Sequence, residues 1–320
     1  YQKLQGFWLG ECIANWTGLR TEGVRKTAPF FTDEHWGTYS GRGKNSRGDR
    51  HKIEFALEEK GDVWGADDDT DIEYIYQSIL DDNNVSVVTP AQIRDGWLKH
   101  IKKEEQNFLW VSNEKALHLM LEGLMPPETS LPENNEHYDQ IDAQLTTEIF
   151  GLLAPARPDI ALKMAHLPIR TTAYREAEWI SEFYVVMHSL ASKVDPKLSM
   201  KEQTMWLAEQ ARQRLPNESY PAKMYDFIKK DYESNPDKND WERTRDRLNE
   251  RHTGVTTDGY NYRSWFDAGI NFGASLISLF YGEGDFKRTI RIGSLCGWDS
   301  DNPTATWGGL LGFMLSLIHI

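Results

Sequence analysis

The 320-residue sequence predicts an all-α fold. Apolar residues recur at i, i+3, i+4 and i+7 along most of the chain, the period of a helix that buries one face. Strand signals are few and short, and the best of them covers only residues 85–88. Strands and helices do not alternate as a doubly wound sheet would require, and no repeat of fixed period appears.

The elements follow in chain order. Gly6 and Gly10 lie four apart in a first helix. Ile72, Ile75, Tyr76, Ile79 and Leu80 form the next stripe, with Thr70-x-x-Glu73 spaced as a capping box at its start. Thr89 and Pro90 read as N-cap and first helical residue, followed by Ile93, Trp97 and Ile101 on one face. Ala116, Leu117, Met120, Leu121 and Leu124 make another stripe, ended by Pro126 and Pro127. Ile141, Leu145, Ile149 and Leu152 continue the pattern. Further helices are expected over roughly 157–166, 173–192, 200–214, 221–231, 262–281, 285–295 and 303–314. Two polar stretches, 38–61 and 235–259, read as loops. The expectation is one large domain over residues 1–314 with polar loop insertions. Residues 315–320 look like translated sequencing-adapter sequence, so the natural chain is expected to continue past Met314.

Composition narrows the function. Hydrophobic residues make up 39% of the chain, enough for a large core, which excludes global disorder. Lys and Arg number 36 against 49 Asp and Glu, a net charge of −13. Such a chain does not track a nucleic-acid backbone by bulk charge; binding of cations is the easier expectation. Two cysteines, Cys12 and Cys296, exclude a disulfide-stapled scaffold and read as small buried residues. The longest apolar run, residues 268–280, is too short to span a membrane and carries Asn271. No signal peptide is visible and the chain begins at Tyr1, so its location stays open.

Two acidic clusters open helices. Asp67, Asp68 and Asp69 stand just before the Ile72 stripe; Asp299 and Asp301 stand just before the final helix, with Pro303 expected as its first residue. One capping acid accounts for one aspartate, not three in a row. If the two helix starts meet, Asp68, Asp69, Asp299 and Asp301 share one site. Oxygen-only ligands of that charge suit Mg²⁺, Mn²⁺ or Ca²⁺. Gly308 and Gly312 repeat the four-residue glycine spacing after Asp301. The spacing permits close helix contact, although by itself it does not pair the two glycine faces.

Read together, Gly6-Phe7-Trp8-Leu9-Gly10 leading to Thr21-Glu22-Gly23, then Asp68-Asp69-Thr70, then Gly297-Trp298-Asp299-Ser300-Asp301-Asn302 resemble the motifs of the ADP-ribosylglycohydrolase family, in the family's order. Asp142-Ala143-Gln144, Gly151, Pro155-Ala156-Arg157-Pro158 and Asp285-Phe286 are similar to its connecting segments. The resemblance implies an orthogonal multi-helix bundle holding two Mg²⁺ ions, with Mn²⁺ or Ca²⁺ as alternatives. It implies hydrolysis of the glycosidic bond between ADP-ribose and a modified protein side chain or a small conjugate. Glu22, Asp69 and Asp301 are implied as catalytic residues, and Asp67, Asp68, Asp69, Asp299, Asp301 and Asn302 as metal ligands.

Three positions depart from the family pattern. Asp67 stands where Ser or Thr is usual, Asn302 replaces a Thr, and Trp298 replaces a Gly. Trp298 is expected to line and reshape the substrate cleft, the alternative being a packed core side chain. The basic stretch with Arg42, Lys44 and Arg47 is a candidate cradle for the pyrophosphate. Two other readings stay open: a metal-independent all-α glycosidase acting on carbohydrate, and a catalytically altered metal- or ligand-binding module on the same scaffold.

Overall fold

A computed structural model describes residues 1–41, 51–59, 61–65, 67–102 and 109–317. Among these residues there are thirteen α-helices and no strand, only isolated bridges such as Tyr39 with Lys52. The chain divides into two compact units. One comprises Tyr1–Trp64, Val194–Arg212 and Pro216–Ile320, and the other Gly65–Lys193 with Gln213–Leu215.

The first unit holds α1 (Gln2–Gly18), α8 (Met200–Arg212), α9 (Tyr220–Ser234), α10 (Trp241–His252), α11 (Ala268–Gly282), α12 (Phe286–Cys296) and α13 (Asp301–Leu315). Its centre is α11, in which every residue is buried. A helix covered on all sides needs no polar stripe, and this one is almost wholly apolar. The pairing of α1 with α13 matters most for function. A Cβ on Gly6 or Gly10 would collide with the α13 backbone at Gly312 or Gly308, and the reverse collisions hold as well. The four glycines therefore face one another, and the two backbones touch without intervening side chains.

The second unit holds α2 (Asp68–Asn83), α3 (Pro90–His100), α4 (Val111–Leu121), α5 (Ile149–Leu153), α6 (Pro158–Ile169) and α7 (Glu176–Leu190). Ile72, Ile75, Tyr76, Ile79 and Leu80 are buried as the stripe predicts. Thr89 caps α3 by accepting a hydrogen bond from Gln92 N, and Pro90 is the first helical residue. No described helix is long and apolar enough to cross a membrane. Cys296 is buried and Cys12 half-buried.

Several expectations change. Residues 235–259, read as a charged loop, contain α10. Its buried stripe is Trp241, Thr244, Arg245, Leu248 and His252. The period is visible only once Arg245 counts as a core residue, its guanidinium lying over the rings of Phe30 and Trp241 and donating to Phe31 O. Residues 141–148 form turns rather than helix. There the Thr146 and Thr147 hydroxyls donate to the carbonyls of Asp142 and Ala143, offering the backbone an alternative to the helical ladder. Residues 85–88 form no strand, and 262–267 precede rather than begin α11. Thr70 is inside α2, whose N-cap is Asp67, so the expected capping box is absent. Pro303 is the third residue of α13, where its missing N–H still costs no helical hydrogen bond.

Candidate metal centre

α1 ends at Gly18, and the chain turns through Leu19 to Val24 before leaving the helix axis. That end is pressed against the start of α13. A Cβ on Gly18 would meet Asp301 Cα at 2.5 Å and Ser300 O at 2.6 Å. Only glycine allows the turn carrying Glu22 to approach the helix start carrying Asp301 this closely.

Hydrogen bonds then fix the turn. Thr21 Oγ1 donates to Ser294 O at 2.5 Å and shares a bond of 2.9 Å with Ser300 Oγ. Gly23 N donates to Trp298 O at 2.9 Å, and Trp298 N donates to Arg25 O at 3.3 Å. The segment after α1, through Thr21, Gly23 and Arg25, and the segment before α13, through Trp298 and Ser300, are thus laced together, with Glu22 on one and Asp299 on the other.

Carboxylate oxygens of Glu22, Asp299 and Asp301 lie within 4.8 Å of one another. Glu22 and Asp299 are half-buried and Asp301 is buried. Three ionised carboxylates at such spacing repel by roughly 1–3 kcal/mol per pair, depending on local screening. The donor set fits a hard divalent cation. It is oxygen-only, contains no thiolate or imidazole, and spans what one ion reaches with bonds of about 2.0–2.6 Å. Asn302 follows Asp301 in the first turn of α13 and is buried.

Asp67, Asp68 and Asp69 open α2 in the second unit. Asp67 is its N-cap yet makes no side-chain capping bond, so the helix start does not account for its carboxylate. Asp67 and Asp69 are buried and Asp68 is half-buried. One turn further on, Glu73 is fully buried and accepts from Ile149 N at 2.7 Å. Burial, reinforced by neighbouring Glu148, pushes the Glu73 carboxyl well above the ordinary carboxylate range. Asp142 is pushed up to about 6 by burial, although Ser112 and Asn113 N both donate to it. A cavity of about 450 Å³ in this unit, lined in part by Leu162, Met164, Glu182 and Arg214, holds none of the expected site residues.

Trp298 departs from the cleft-lining expectation. Its side chain is 0% exposed and packs on Phe30 and Tyr262, with ring centroids 4.7 and 6.4 Å away. It therefore occupies the core position and offers no open stacking face. Its φ is +58°, next to Gly297 at +101°. Both residues before Asp299 lie in the region that favours glycine, which is the physical reason for the Gly-Gly pattern from which Trp298 departs. Arg42, Lys44 and Arg47 lie outside the described residues.

Thr21 and Ser300 lie within the two terminal motifs, but nothing in those motifs assigns them a supporting role. Asn271 is visible only as the polar interruption of an apolar run. A model of the ADP-ribosylglycohydrolase family matches residues 1–320. A solved structure described as an "ADP-ribosylglycohydrolase-related protein complex" is similar to the chain with a TM-score of 0.60 and 19% identity, covering 100% of this chain and 89% of that one. At that identity the likeness is one of fold. No curated protein matches the chain.

Proposed function

The chain belongs to the ADP-ribosylglycohydrolase family, whose members hydrolyse glycosidic bonds of ADP-ribose, and on that premise we propose that it removes ADP-ribose from a modified protein side chain or small conjugate in a Mg²⁺-dependent reaction. The observation that carries the reading is the gathering of Glu22, Asp299 and Asp301 carboxylates within 4.8 Å. On the motif match, Asn302 acts as a further ligand of this cluster, and Asp67, Asp68 and Asp69 are the ligand candidates of the second unit. A divalent ion held by the Glu22, Asp299 and Asp301 cluster supplies Lewis acidity that orients ribose hydroxyls and acidifies water.

The chain's own residues do the rest. The anomeric bond breaks through an oxocarbenium-like transition state. Glu22 is half-buried on a turn pinned at both ends. It accepts the proton of the attacking water as the new C–O bond forms; the acceptor departs with the electron pair of the broken glycosidic bond and takes up that proton. Asp299 and Asp301 would hold the ion beside Glu22 and so fix where the ribose hydroxyls sit.

The test is release of free ADP-ribose from ADP-ribosylated protein and from small ADP-ribosyl conjugates. Mg²⁺ should support release and excess chelator should abolish it. Asp301→Ala should stop turnover, and Glu22→Gln should slow it by about 10²–10⁴-fold. Full activity in chelator would exclude the proposal.

A further inference from the structure

Asn271 lies in the first turn of α11, whose N-cap is Asp267, and it is completely buried. Its amide is fully engaged in one direction. Nδ2 donates to the carbonyls of Trp265 at 2.9 Å and Asp267 at 3.0 Å. Oδ1 accepts from Asp299 N at 3.1 Å. Exchanging the amide's O and N would break all three bonds, so its orientation is determined.

The peptide it holds bears directly on the acid cluster. The Asp299 N–H belongs to the peptide that joins Trp298, with its left-handed backbone, to the residue whose carboxylate approaches Glu22 and Asp301. The Gly23 and Trp298 backbone bonds hold the segment on one side. Asn271 holds it on the other and ties it to the best-buried helix of the unit.

We infer that Asn271 is a positioning residue for the acid cluster. It fixes the peptide that carries Asp299, and through that peptide the direction in which the carboxylate points. The inference rests on the proposed metal reading. Groups that orient ligands from behind typically change metal affinity 10- to 100-fold when removed. A group that only stabilises the helix leaves the affinity of the folded protein unchanged.

The experiment measures Mn²⁺ affinity of the purified chain by electron paramagnetic resonance at a temperature where circular dichroism shows each variant folded. Wild type should bind Mn²⁺, and Asn271→Ala should bind about 10- to 100-fold more weakly. Ser278→Ala is the control, because it removes a buried hydrogen bond of the same helix, Ser278 Oγ to Ser275 O, and should bind as wild type does. If Asn271→Ala does not fold, Asn271→Ser is read in the same way. Wild-type affinity in the Asn271 variant would overturn the positioning role while leaving the metal reading intact. Failure of wild type to bind Mn²⁺ would overturn both. Equal weakening in Ser278→Ala would make the effect one of helix stability and would also overturn the inference.

Discussion

Gly18 at the end of α1 and Asp301 at the start of α13 are in backbone contact, so close that a Cβ on Gly18 would stand 2.5 Å from Asp301 Cα. This contact brings a carboxylate near residue 20 to carboxylates near residue 300.

Gly18→Ala should therefore damage the site beyond its effect on stability. Overpacking of this kind costs about 1–3 kcal/mol. The added methyl must also move the Glu22 turn or the Asp301 helix start. Thermal unfolding should show a moderate loss, while ADP-ribose release falls by much more than the unfolded fraction explains. Activity that tracks only the folded fraction would show the contact to be structural alone.

Trp298 poses a packing question with a backbone twist. Trp298→Ala removes a wholly buried indole, at about 3–5 kcal/mol. Trp298→Gly opens the same cavity but relieves the backbone strain of a φ of +58°, worth about 1 kcal/mol. Denaturant unfolding should rank wild type first, Trp298→Gly second and Trp298→Ala last. Alanine proving the milder change would contradict the strain argument.

Glu73 gives a pH dependence with a definite sign. Its carboxyl is raised by burial and by Glu148, so above the ordinary value of 4.5 the folded state holds a proton that the unfolded state has released. Stability contributed by the protonated form is present at lower pH and is lost as pH rises through the raised value. Asp142 adds to the same trend between its ordinary 3.8 and about 6. Glu73→Gln keeps an acceptor for Ile149 N and cannot ionise. Urea unfolding from pH 4 to 8 should show the glutamine variant gaining on wild type as pH rises. A constant difference between the two would contradict this assignment.

Much of this architecture was legible in the sequence because its signals are local. The α2 stripe, the Thr89-Pro90 start of α3 and the acids before α13 each depend on residues a few positions apart. α10 is hidden because Arg245 is a core residue only by virtue of lying over the Trp241 ring of its own helix and the Phe30 ring, which is distant in the chain. The turns at 141–148 are not legible in the sequence because apolar spacing does not reveal that Thr146 and Thr147 bond back to the main chain. In the site, the acids could be named from motifs but their approach could not. Glycines four apart on α1 and on α13 announce two close-packing faces without saying that they pack on each other. The role of Asn271 depends on one backbone N–H, which no side-chain motif records.

On the proposed reading, Glu22, Asp299 and Asp301 bind divalent metal where ADP-ribose is cleaved. Anomalous diffraction from crystals of the chain grown with Mn²⁺ and soaked with ADP-ribose tests it most directly. The expected result is anomalous density bonded to Asp299 and Asp301 at about 2.0–2.6 Å, with the ribose beside Glu22. ADP-ribose bound away from these acids, or no anomalous density among them at saturating Mn²⁺, would contradict it.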